Sequence, residues 1–160
     1  MNKLRENISN WLQEHGWDFS VEQEGDDVRF TFSLRWAGGL SLPLEITIVE
    51  DGQFLQLRVP QLFPRRELES SPLRRRVLSV LAEETYLRRL AKVGYDPDDG
   101  EIDCCVDLPL EDCPLTRSQF DHMLHLLIII SRLIHKRVMM ILQTGRDPGA
   151  LDIRDLDRPD

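Results

Sequence analysis

Three histidines fall in one apolar stretch, HMLHLLIIISRLIH (122–135), and His122 and His125 stand three residues apart. On a helix that spacing puts two imidazoles on one face, where they could hold a metal. A closed metal site needs four ligands; the only nearby acid, Asp121, points elsewhere on the wheel, so no metal is expected here. Cys104 and Cys105 are adjacent in an alternating run and so face opposite sides of a strand. With Cys113 beyond that run and no CxxC, the thiols read as packed small residues. DPDDGEIDCCVD (96–107) begins like a calcium loop but lacks the twelve-residue ligand pattern and runs into a strand, so it reads as a hairpin turn. The AGG at 37–39 has no following helix to offer amides to a phosphate.

One basic cluster remains: Arg74, Arg75, Arg76, Arg88 and Arg89, with Arg65 and Arg66 before it. Glu67, Glu69, Glu83 and Glu84 are interleaved with it. A solvated helix face laced with ion pairs accounts for it; docking of an acidic partner is the alternative. No nucleophile–base arrangement or paired-carboxylate motif stands out. The sequence therefore predicts no catalytic, cofactor or metal residues and no enzymatic activity.

The elements that carry these residues belong to one α+β domain. At 160 residues, 41% hydrophobic and 30% charged, the chain can build a single core. A net charge of −8 argues against nucleic-acid binding, which needs a concentrated positive field. Three cysteines, an odd number, suit reduced thiols in the cytoplasm, and MNKLRENISNWLQEHGW has no secretory-signal character.

Apolar spacing predicts helix 1 over 2–15, ended by Gly16. Four alternating runs follow, through Val21, Phe30 and Phe32, Leu44 and Ile46, and Leu55 and Leu57, separated by EGDD, WAGG and EDG turns. Helix 2 should start with Ser71 as N-cap and Pro72 in its first turn, with Leu73, Val77, Val80, Leu81 and Leu87 as its stripe. Short strands near 92–95 and 102–108 precede helix 3, opened by a Thr116–Gln119 capping box and running to about Leu142. The order is α-ββββ-α-ββ-α: an antiparallel sheet with helices on one face and a charged, solvated opposite face. The domain spans 1–143, and 144–160 reads as a polar, frayed tail.

The uninterrupted apolar run in helix 3, Leu126–Ile130, is far short of the ~20 residues a membrane span needs. On a wheel, Phe120, Met123, Leu124, Leu127, Ile130, Ile134, Val138, Ile141 and Leu142 form a broad face for the sheet. A second stripe runs through His122, Leu126, Ile129, Leu133, Lys136 and Met140, at the seam period of helix against helix. Burying each large member contributes roughly 1.5–3 kcal/mol, so this stripe needs a neighbour. Either helix 1 or a second subunit supplies it, and helix 2 competes for cover as well.

ISNWLQEHGWDFSVEQEGDDVRFTF, LEITIVEDGQFLQLRVP and GEIDCCVDLPLEDCPLTRSQFDHMLHLL resemble the YbjN-type domains. The shared features are a helix ending in GW, an EDG turn and a Thr-capped last helix, over roughly residues 2–143. The resemblance implies the fold of type III secretion chaperones of the CesT kind, and a cytoplasmic, often dimeric protein that works by binding protein. It supplies no catalytic residues. The charged sheet face departs from the apolar grooves that effector wrapping would use.

The reading from sequence is thus a non-enzymatic protein-binding module, an adaptor or regulator. The alternative is a small-molecule or metal sensor using His122, His125 or the cysteines. Expected interaction residues are Leu126, Ile129, Leu133 and Met140 on helix 3, and Leu73, Val77, Val80 and Leu81 on helix 2. A homodimer and an unidentified protein partner are expected, with no cofactor, nucleic acid or membrane.

Overall fold

The computed structural model describes residues 2–35, 41–63, 68–69, 71–98, 100–111 and 113–156. The AGG break at 37–39, Arg65, Arg66 and Glu67 lie outside the described residues. The elements are α1 (Asn2–Glu14), β1 (Phe19–Glu24), β2 (Asp27–Arg35), β3 (Ser41–Val49), a 3-10 turn (Glu50–Gly52), β4 (Phe54–Val59), α2 (Arg74–Leu87), β5 (Ala91–Tyr95), β6 (Ile102–Pro109), α3 (Arg117–Thr144) and a last 3-10 turn (Ile153–Asp155). This is the α-ββββ-α-ββ-α order that the periodicities predict.

The strands form one six-stranded sheet in the order β1-β2-β3-β4-β6-β5, antiparallel throughout. Register follows side-chain alternation: Phe30 faces Ile46, Ile46 faces Leu57, and Leu57 faces Val106. Slipping any strand by one residue would turn its apolar set toward the polar side. All of Phe30, Phe32, Leu44, Ile46, Leu55, Leu57, Cys104 and Val106 are buried on the helix side. On the opposite side Arg29 and Arg35 are exposed, and Arg58, Asp103 and Asp107 are half-buried and paired. Arg58 Nε donates to Asp103 at 2.9 Å, Lys92 Nζ to Asp107 at 2.9 Å, and Gln56 Nε2 to Asp107 at 2.9 Å. Thr47, which alternates with buried Ile46 and Ile48 and so faces the polar side, is buried as well.

Helix ends obey local rules. After α1, Gly16 takes a left-handed φ of 72°, its N–H bonds Gln13 O at 2.9 Å, and Trp17 N–H bonds Leu12 O at 3.2 Å. That is a Schellman motif, so the GW pair is a helix terminator with its tryptophan folded back onto the helix. Trp17 then stacks between His15 and Phe32. The Thr116–Gln119 capping box is present at the start of α3, and Gly145 closes the helix at φ 71°. Helix α2 departs from expectation. It starts at Arg74, after a separate turn in which Ser71 Oγ accepts from Leu73 N at 3.1 Å. The serine side chain satisfies that turn's donor, which displaces the helix start by two residues from the predicted Pro72.

The two edges of the sheet differ. On β5, Val93 N–H donates to Thr85 Oγ1 at 3.1 Å and the same hydroxyl reaches back toward Val93 O at 3.5 Å. Helix α2 thereby occupies the outward backbone groups of Val93, in the middle of that edge strand.

Candidate interaction surface

Helix α2 buries Val77, Val80 and Leu81 in the core, and the next position of that stripe is Glu84, also buried. A carboxylate there demands a cation. Arg137, at an inward position of α3 between Ile134 and Ile141, supplies it. Its Nη1 donates to Glu84 Oε1 at 2.5 Å, and both side chains are only 1% exposed. The rest of the guanidinium forks onto Asp147, Nε to Oδ1 at 2.9 Å and Nη2 to Oδ2 at 2.8 Å, and Nη2 also reaches Glu83 at 3.1 Å. Bidentate pairing of this kind suits arginine's planar donors. Asp147's hydrogen bonds raise Arg137 above the ordinary arginine range, and Arg137 in turn holds the Asp147 carboxyl below its usual range.

Two more arginines fasten the chain that leaves α3. Arg76 Nη1 donates to Gly145 O at 2.8 Å, and Arg88 donates to Glu84 Oε2 at 2.8 Å and to Leu151 O at 2.8 Å. The segment expected to fray is therefore strapped across the end of α2, and its last turn rests on α3. Onto this strapped corner fall all the exposed large hydrophobic side chains of the described residues: Tyr86, Leu87, Leu90 and Ile153, with Tyr86 88% and Ile153 60% exposed. Leu90 also holds a left-handed φ of 67°, a conformation unfavourable for a side-chain-bearing residue.

The residues predicted from sequence are distributed differently. Val77, Val80 and Leu81 lie in the chain's own core, which leaves Leu73 half-buried at that helix. On α3, Leu133 is buried, while Leu126, Ile129 and Met140 are half-buried. Helix α1 meets the first turns of α3 through Trp11 on Phe120 (ring centroids 5.1 Å apart) and Arg117 to Glu14 at 2.6 Å, with His15 just beyond α1 on Asp121 at 3.0 Å. Farther along, α2 is the neighbour. Tyr86 and Leu90 escaped the sequence reading because they lie off the apolar stripe of helix 2. The signal for the strap was there: Arg137 and Glu84 each interrupt an apolar face with a charge.

His122 and His125 are both exposed. Among the described residues no group of three histidine, cysteine or acidic side chains could hold a metal ion. Burial pushes the Cys104 thiol up to about 12, and Cys104 lies beside the buried Ser131. Cys105 is half-buried, its thiol also pushed up by burial, and Cys113 is exposed. Among the described residues no helix is long and apolar enough to cross a membrane.

A six-stranded antiparallel sheet backed by helices on one side defines an α+β domain. The chain belongs to the YbjN family, whose model matches residues 4–132 and carries the description "Putative bacterial sensory transduction regulator". The strap, with Arg137 and Asp147, lies beyond the matched residues. No curated protein matches the chain. Among solved structures it is similar to an uncharacterized protein from Methanothermobacter thermautotrophicus. The two are 12% identical with a TM-score of 0.57, covering 89% of this chain and 98% of the other, a likeness of fold.

Proposed function

We propose that this chain is a non-enzymatic protein-binding regulator that works as a homodimer in the cytoplasm and docks through the corner formed by α2 and its C-terminal strap. The observation that carries the reading is the confinement of Tyr86, Leu87, Leu90 and Ile153 to that corner. Burying each would contribute roughly 1.5–3 kcal/mol, the scale on which a few anchors hold an interface together. Exposed Arg89 stands next to Leu90 at this corner and adds a positive charge to it. The half-buried Leu126, Ile129 and Met140 on α3 form the second candidate face for the same self-association. Three free thiols accord with a reducing compartment.

Light scattering coupled to size exclusion tests this on the full chain. A dimer that becomes a monomer in Tyr86→Glu/Leu90→Glu but persists in Ile129→Glu supports the α2 corner. The reverse pattern moves the interface to α3, and a monomeric parent protein at micromolar concentration refutes self-association.

A further inference from the structure

At the other end of α3 a hollow of about 360 Å³ opens between three segments far apart in sequence. Its walls, among the described residues, are the first turns of α1 (Lys3, Leu4, Asn7), Gly52 of the β3–β4 turn, and Leu110, Glu111 and Cys113–Leu115 ahead of α3. Main-chain hydrogen bonds tie Leu110 to the β3–β4 connection and to Cys113. Leu110 N–H donates to Gln53 O at 2.7 Å, and Cys113 N–H donates to Leu110 O at 2.7 Å. Leu110 and Leu115 are buried and supply an apolar lining with half-buried Leu4. The size falls at the low end of small-molecule sites, which run from roughly 300 to 1,000 Å³.

Among the described residues two opposite charges line this hollow, Lys3 and Glu111. Among the described residues neither makes an ion pair, with the other or with any third group. On the sheet's polar face, by contrast, opposite charges close on one another, as Lys92 does on Asp107. An unpaired cation and an unpaired anion on the walls of one partly apolar cavity are complementary to a ligand that carries both charges itself. We propose that the hollow binds a small zwitterion with an apolar side chain, of the class of free hydrophobic amino acids. Its carboxylate sits on Lys3, its ammonium on Glu111, and its side chain against Leu4, Leu110 and Leu115. Binding here joins α1 to the residues that lead into α3, adding to the contacts that Trp11–Phe120 and Glu14–Arg117 already make between the two helices.

This site is separate from the α2 corner and does not depend on the dimer. Calorimetric titration of the full-length protein with L-leucine, L-methionine and L-phenylalanine tests it. Leucine's deaminated and decarboxylated analogues, 4-methylpentanoate and isopentylamine, serve as controls. At least one amino acid should bind, and both analogues should bind at least about tenfold more weakly than leucine or the best of the three. Lys3→Glu and Glu111→Lys, both on exposed side chains, should each weaken binding at least about tenfold while the circular-dichroism melt stays unchanged. No heat from any of the three at millimolar concentration, equal binding of an analogue that lacks one charge, or undiminished binding in both variants overturns the proposal. Light scattering on the same variants keeps this result apart from that of the α2 corner, since neither substitution touches it.

Discussion

Arg137 and Glu84 meet at 2.5 Å inside the protein, each side chain 1% exposed, across the contact between α3 and α2. Two charges withdrawn from water this far are tolerable only because every arm of the guanidinium finds an acceptor. Arg137→Met should lower stability in urea by about 3 kcal/mol, the low end of the range for breaking a buried pair. The low end applies because Arg88 still holds the stranded Glu84 carboxylate. Arg137→Met/Glu84→Leu should recover a large part of that loss. A double variant no more stable than the single would show that the pair is not the unit of stability.

Asp147 gives the pH dependence. Arg137's hydrogen bonds lower its carboxyl in the folded state relative to the free side chain, so it contributes stability above the ordinary aspartate pKa of about 3.9. That contribution disappears as pH falls through the lowered folded value. Asp147→Asn should therefore be less stable than the parent at neutral pH, and the gap should close in acid below about pH 4. Urea melts from pH 7 downward read it; a gap that widened in acid would contradict the assignment.

Leu90 separates folding from docking. Its left-handed backbone costs about 1–2 kcal/mol for a residue with a Cβ, which glycine does not incur. Leu90→Gly should raise the melting temperature and weaken self-association in the same protein. Loss of both together would mean that Leu90 packs inside its own subunit.

The thiols should separate by position. Cys113 is exposed, Cys105 half-buried, and Cys104 buried with its thiol pushed up to about 12. Alkylation followed by mass mapping should modify Cys113 first, Cys105 slowly and Cys104 only in denaturant. Early labelling of Cys104 would show that the helix layer opens in the native state.

The sheet was legible in the sequence because alternation is a local, one-dimensional signal. Phe30, Ile46, Leu57 and Val106 could be assigned to one face without knowing which strands are neighbours. The capping box at Thr116 and the terminator at Gly16 were readable for the same reason: each is set within a few residues. The start of α2 was misplaced because Ser71 and Pro72 can open a turn as readily as a helix. What joins distant segments was hidden. Glu84 and Arg137 are 53 positions apart, and only the packing of α2 against α3 turns two interruptions of apolar stripes into one pair. The hollow beside Lys3 is likewise the product of three segments that no periodicity connects.

The hydroxyl of Thr85 on Val93 has a consequence for growth by strand addition. With the Val93 backbone engaged by its own helix, a strand from another copy cannot add along the middle of β5 without first displacing the Thr85 hydroxyl, so that border resists ribbon growth at its centre.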